Sequence, residues 1–318
     1  MNRPSRRQFL KHVPPVLAFA FGPATMAAGA APREPHLTFP TEPRERLAVT
    51  SYPFRRLIES PTNRERDPKQ PGMDLKDFAQ MIATKFGIHN INPLADHFSS
   101  TEPSYLDSFR KAVESAGSHM VDLGLSGRKF WDPDPGQRQA ALDYGKRWID
   151  IALVVGSPSV RQHLAGSHSV KPDVDLGAQT LAKLADYGAT KNILVLLEND
   201  APVNEDPFLI VNLVEKVGNP YLRALPDFGN SLQGGDVDFN DRGVTAMFQH
   251  AYSMCHVKDA VVGKNGEVYK VDLAKMFGIA MAAAYRGYFS MEFETRLADP
   301  FTGTARLMDE TLKYLAPA

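Results

Sequence analysis

ILVLLEND (193–200), LRALPDFGN (222–230), YSMCHVKD (252–259) and GYFSMEFE (287–294) decide how this chain folds. Each is a short apolar run that closes on ionisable residues, with Glu198, Asp227, His256 and Glu292 in corresponding places. The steps between those four are 29, 29 and 36 positions, about the length of one strand plus one returning helix. Polar residues closing successive strands at this spacing form the pattern of a site at the C-terminal mouth of a parallel barrel.

The same alternation holds upstream. LAVTSYPF (47–54) reads as a first strand. The polar, proline-broken stretch after it (55–72) is either a lid over the mouth or a solvated loop. DLKDFAQMIATKFG (74–87) has Asp74 as a helix N-cap, apolar residues at helical spacing and Gly87 as a stop. IHNINPL (88–94), HMVDLGLSG (119–127) and SPSVRQH (157–163) read as strands two to four, separated by helical patterns over 103–117 and 136–156. A fourth helix over 175–188 leads into ILVLLEND. The remaining three strands alternate with helices over 206–218, 238–251, 271–284 and 304–316.

Eight strands and eight helices in strict alternation predict an α/β fold, a single (β/α)8 TIM barrel over residues 47–318. A doubly wound open sheet competes, but no glycine-rich fingerprint follows the first strand. Residues 31–46, rich in proline and charge, read as a linker.

Residues 1–30 read as a cleavable signal segment, with Arg3, Arg6, Arg7 and Lys11 ahead of an Ala-rich apolar stretch. SRRQFLK (5–11) resembles the twin-arginine export signal, which implies the twin-arginine machinery as a partner and a bacterial, periplasmic destination. Ala28-Gly29-Ala30 places cleavage after Ala30. Removing the leader takes away four basic residues and no acidic one, leaving 32 basic against 37 acidic, a net charge of −5. Such a chain has no electrostatic footprint for nucleic acid. One cysteine, Cys255, excludes an intrachain disulfide.

Residues two apart in a strand share a face. If His256 points into the barrel, Lys258 joins it and Cys255 packs under a helix; by the same parity Glu292 pairs with Glu294, and Arg161 with His163. Taken singly, each candidate has an ordinary explanation. A carboxylate after a strand can cap the next helix, and a lone strand histidine is more often a bonded core residue than a ligand. As a set, three carboxylates and an imidazole suit Mn²⁺, Mg²⁺, Co²⁺ or Zn²⁺.

LLEND, DFGN, HVKD and GYFSMEFE resemble the metal-site strands of the xylose-isomerase-like TIM-barrel superfamily, in its sugar phosphate isomerase/epimerase branch. VGSPSVRQHLAG (155–166), which includes Arg161, resembles its fourth-strand segment. The resemblance runs from residue 47 to about residue 316. It implies Glu198, Asp227, His256 and Glu292 as ligands of a divalent ion, with Glu198 and Glu292 also exchanging protons with a carbohydrate substrate. The implied reaction is isomerisation or epimerisation by proton transfer alpha to a carbonyl, through an enediolate. Arg161, His163 and Lys258 are expected substrate contacts, with support of a metal ligand the alternative for His163 and a structural ion pair the alternative for Lys258. His97 is a further candidate contact, with a surface loop as the alternative, and Trp131 is a candidate to stack on a sugar face, with core or interface packing the equal alternative. After HVKD the chain departs from the family's glycine-rich turn and reads AVVGKNGEVYKVDL (260–273).

Export fits a glycoside better than a sugar phosphate, which keeps a lyase or hydratase acting on keto-sugars or keto-glycosides in view. A carbohydrate-binding protein with a vestigial site is a further reading. A nuclease of the same barrel superfamily is disfavoured by the net acidic charge. The sequence is compatible with a single chain or with a homo-oligomer.

Overall fold

A computed structural model describes residues 34–166, 170–200, 206–263, 265–294 and 296–316; the expected signal segment and its cleavage point lie outside these residues. Eight parallel strands form a closed ring. They are β1 (Leu47–Thr50), β2 (Asn90–Asn92), β3 (His119–Met120 and Leu123–Gly124), β4 (Ser159–Gln162), β5 (Leu194–Glu198), β6 (Leu222–Leu225), β7 (Met254–Val257) and β8 (Tyr288–Met291). Each pairs with its chain neighbours, and β1 closes on β8 through Leu47↔Phe289 and Val49↔Met291. The β6–β7 seam is held by the bridges Ala224↔Ala251 and Asp227↔His256.

Helices α1 (Phe78–Phe86), α2 (Pro103–Ser115), α3 (Pro135–Val155), α4 (Val174–Ala189), α5 (Pro207–Val217), α6 (Val237–Phe248), α7 (Leu273–Ala282) and α8 (Pro300–Leu315) follow the strands in turn. Their starts are chemically alike. Asp134, Asp173, Asp206, Asp236, Asp272 and Asp299 are N-caps whose carboxylates accept backbone N–H bonds from the first turns of α3 to α8, each worth ~1 kcal/mol. Asp74 does the same for the 3-10 turn that leads into α1. Gly87 ends α1 in the left-handed region at φ 61°, where a Cβ would be strained.

Between strands and helices lies an apolar layer that includes Phe109, Trp148, Leu184, Leu213, Phe277 and Leu307, all buried. Inside the ring the chemistry changes. Asn92, Asp122, Ser159 and Ser290 are fully buried and bonded to one another: Ser159 donates to Asp122 at 2.6 Å, Asn92 Nδ2 to Asp122 at 3.2 Å, and Ser290 to Asn92 Oδ1 at 3.1 Å. This polar floor lies beneath the mouth.

Two local features differ from the sequence expectation, while the stretch 55–72 follows its solvated-loop reading rather than the lid. The third strand is interrupted at Val121 and Asp122, where its pairing passes from β2 to β4. Residues Ala260–Val262 and Val268–Lys270 form an antiparallel hairpin beside the mouth. The stretch 55–72 folds onto the segment after β2, with Ser60 donating to the Asp96 and Phe98 carbonyls.

At the opposite end, Phe39 packs edge-on against Tyr252 and Tyr288, and Arg46 donates to the Tyr285 and Gly287 carbonyls. No helix among the described residues is long and apolar enough to cross a membrane.

Candidate metal centre

Strand parity and register bring the four strand-end residues together. Glu198 is the last residue of β5, and Glu292 follows β8 directly. The backbone clasps His256 N–H to Pro226 O (3.0 Å) and Phe228 N–H to His256 O (3.1 Å) bring Asp227 level with His256. Glu292 N–H to Val257 O (3.0 Å) fixes the other side. One ligand atom from each of the four lies within 4.8 Å of all the others, and none of these residues is more than 6 % exposed.

Hydrogen bonds orient each group. Asn92 directs its Nδ2 at Asp122, so its Oδ1 accepts, and His256 Nε2 at 3.1 Å is the donor to it. His256 Nδ1 therefore faces the carboxylates, 2.5 Å from Glu198 Oε1 and 3.0 Å from Glu292 Oε2. Fixing one ring nitrogen to present the other is the usual way a ligand imidazole is held.

Asp227 Oδ1 accepts the Gly229 and Asn230 amides at 2.9 and 2.7 Å. Asp227 N–H donates to Asn199 Oδ1 at 2.7 Å, and Asn199 Nδ2 donates to the Asp227 carbonyl and Ser231. With Oδ1 committed, Oδ2 is buried and makes no hydrogen bond.

That oxygen, which makes no hydrogen bond, two further carboxylates and an imidazole nitrogen fit a hard or borderline divalent cation. Carboxylates packed this closely need positive charge among them. Lys258 supplies part of it, with Nζ 2.6 Å from Asn230 Oδ1, 3.1 Å from Glu292 Oε1 and 3.3 Å from Asp227 Oδ2. Arg161 supplies another part, donating from Nη1 to Glu198 Oε2. His163 Nε2 lies 2.7 Å from the same oxygen, and His163 Nδ1 is 3.3 Å from Asp200 Oδ2.

The protonation pattern follows from these contacts. Burial pushes Asp227 up, to about 6, against the pull of Lys258 and with the help of Glu292 and Glu198. Burial would raise Glu198 too, but Arg161 and His256 outweigh it and hold that carboxyl well below the usual range. Glu292 is lowered in the same way, by His256 and Lys258. Burial opposes the charged form of His256, yet Glu292 and Glu198 raise it to about 10. In this form of the site His256 carries the proton that a metal ion would displace.

Above the four lies a cleft of about 320 Å³, at the small end of ligand sites. Arg161, His163, Lys258 and Glu292 line it together with Tyr52 and Leu125. All seven residues singled out in the sequence as ligands or substrate contacts therefore meet at one mouth.

The two weaker candidates do not line this cleft. Trp131 is buried in the core and donates to the Ala165 carbonyl at 3.1 Å. His97 is buried with Nδ1 2.7 Å from Ser51 Oγ. None of residues 55–72 lines the cleft either, because that stretch is spent on the segment after β2. The sequence reading missed Asn92, Asn199 and Asn230, which hold His256, Asp227 and Lys258. The available signal for Asn92 was its place beside Pro93 at the end of a strand, sharing parity with Asn90.

A family model described as xylose isomerase-like TIM barrel matches residues 81–317. A comparison with curated protein sequences finds no match. Solved structures are similar over nearly the whole barrel. One is a xylose isomerase-like TIM barrel protein from Mycobacterium smegmatis in complex with magnesium, with TM-score 0.66 and 16% identity, covering 87% of this chain and 97% of that one. Another is D-psicose 3-epimerase with D-tagatose from Clostridium cellulolyticum H10, with TM-score 0.61 and 10% identity, covering 85% and 96%. A third is 3-keto-D-glucoside 4-epimerase from E. coli, with TM-score 0.60 and 13% identity, covering 85% and 98%. At these identities the likeness is one of fold.

Proposed function

Because the chain belongs to the xylose isomerase-like TIM barrel family, we propose that it is a divalent-metal-dependent sugar isomerase or epimerase. The reaction is proton transfer alpha to a carbonyl, through an enediolate. The observation that carries this reading is the buried convergence of Glu198, Asp227, His256 and Glu292 around an Asp227 oxygen left without a hydrogen bond.

Glu198, Asp227, His256 Nδ1 and Glu292 would hold the ion. Bound there, a divalent cation supplies Lewis-acid stabilisation of the negative charge that develops on substrate oxygen as the proton leaves carbon. Glu198 and Glu292 stand on strands three apart around the ring, so a small sugar between them meets a carboxylate from two directions. Both are held as carboxylates by neighbouring cations, the state a general base needs. One acting base returns the proton to the same face, giving isomerisation; two acting in turn give epimerisation. Lys258, in the wall of the cleft, donates to a substrate hydroxyl or carbonyl. Tyr52 and Leu125 also line the cleft.

Elemental analysis of the purified protein beside Asp227→Asn tests the metal; absence of stoichiometric divalent metal from wild type would sink the reading. Incubation of metal-loaded protein with ketoses in deuterated buffer tests the reaction. Deuterium on carbon without a leaving group is expected, whereas release of water or an aglycone marks a lyase or hydratase instead. We further propose export through the twin-arginine route. A reporter fused to residues 1–30 should leave the cytoplasm, and Arg6→Lys with Arg7→Lys should retain it; unchanged export would count against this route.

A further inference from the structure

Glu198 faces two ways. Its Oε1 meets His256 Nδ1 at 2.5 Å within the ligand quartet, while its Oε2 points toward β4 and meets His163 Nε2 at 2.7 Å. On that side His163, Glu198 and Asp200 form a second cluster whose ligand atoms also lie within 4.8 Å of one another. The two clusters share Glu198, the arrangement from which a bridged pair of ions would be built.

Arg161 stands in the second cluster. Its Nη1 donates to Glu198 Oε2 and lies 2.6 Å from His163 Nε2, so both atoms face an arginine nitrogen. Arg161 is buried, and the neighbouring strand makes room for it. Gly124 is its register partner on β3, and a Cβ at Gly124 would fall 2.3 Å from Arg161 Nη2. An arginine remains charged in proteins and cannot act as a ligand, so its position excludes a cation from the same place by occupancy and by repulsion.

We propose that Arg161 is the built-in second cation of this centre, so that the site takes one divalent ion rather than a bridged pair. By engaging Glu198 Oε2, Arg161 leaves Oε1 as the oxygen for the ion and sets the carboxylate's angle. Arg161 thus acts on the ion through Glu198, as a positioning residue that also lines the cleft. The proposal rests on the reading of the quartet as a metal centre, and its test separates the two.

The experiment loads purified full-length protein with Mn²⁺, removes excess by dialysis, counts manganese per chain and records the electron paramagnetic resonance spectrum. Wild type should hold one ion with an uncoupled Mn²⁺ signal. Arg161→Gln should hold two, with the broadened signal of a coupled pair, and adding Asp200→Asn to it should return the count to one. Two ions in wild type, or one ion in folded Arg161→Gln, would overturn the proposal. If Arg161→Gln does not fold, wild type and Asp200→Asn decide between them. A count of one in both supports the proposal, and a count that falls by one in Asp200→Asn overturns it. A count of zero in wild type defeats the quartet reading itself.

Discussion

The Nζ of Lys258 lies 3.3 Å from Asp227 Oδ2, the carboxylate oxygen of the quartet that makes no hydrogen bond. Burial disfavours the charge on Lys258, but Asp227 and Glu292 hold its pKa well above the ordinary range, so it stays an ammonium. A metal ion bound to Asp227 and Glu292 would have this positive charge as a neighbour, and like charges at such range oppose each other. Lys258→Met should therefore tighten divalent metal binding by about tenfold or more, ~1.4 kcal/mol, while lowering kcat/KM. Chelator competition reads the first effect and steady-state kinetics the second. Weaker metal binding in the variant would show that the ammonium supports the ion's ligands rather than competing with it.

In the proposed reaction Glu198 and Glu292 carry both the ion and the proton, so replacing either should damage both functions unequally. Positioned acid–base groups contribute about 10²–10⁴-fold to rate. Glu198→Gln and Glu292→Gln should each lose activity on that scale, even with metal supplied well above its dissociation constant. In an epimerase each variant should block deuterium exchange from one epimer more than from the other. Equal residual exchange from both epimers in both variants would mean that these carboxylates bind metal only.

His97 supplies a pH dependence away from the ligands. Its ring is buried against Ser51, and burial with the nearby Arg55 charge depresses its pKa from 6.5 to about 3. A histidine neutral in the fold and protonated in the unfolded chain contributes stability that is complete above pH 6.5. That contribution is lost as pH falls toward about 3, because the unfolded state then binds the extra proton. Between pH 7.5 and pH 5 the loss should be roughly 2 kcal/mol. Urea unfolding of wild type and His97→Gln at the two pH values measures it. The variant should lose less stability on acidification by about this amount, and parallel losses would refute the assignment.

Much of the barrel was legible because local chemistry repeats. Apolar runs at strand length alternate with helical patterns opened by aspartate and closed by glycine, as at Asp74 and Gly87. The quartet was legible for the same reason, since each member closes a run of the same kind. What escaped depends on contacts between distant parts of the chain. Asn92 orients His256 across 164 positions, and no local pattern distinguishes such an asparagine from one at a turn. Trp131 illustrates the reverse case, in which composition left two readings open and packing chose one. An aromatic ring after a strand has the composition of a sugar-stacking residue, but its packing places it in the core.

Two glycine substitutions should change stability in opposite directions, and one of them should reach the site. Gly303 is in the first turn of α8, and a Cβ there would fall 2.2 Å from a ring carbon of Phe293. Phe293 is fully buried and stands between Glu292 and Glu294, so Gly303→Ala must displace the ring and, through the backbone, the Glu292 carboxylate. Overpacking of this kind costs about 1–3 kcal/mol, and metal affinity should fall with it. Gly278 lies within α7 with nothing within 4 Å of its would-be Cβ. Gly278→Ala should raise stability by roughly 0.5–1 kcal/mol through helix propensity, without altering metal affinity. Thermal unfolding and Mn²⁺ titration of both variants check the pair. A Gly303→Ala protein that keeps wild-type metal affinity would show that the strand end holds Glu292 independently of the core beneath it.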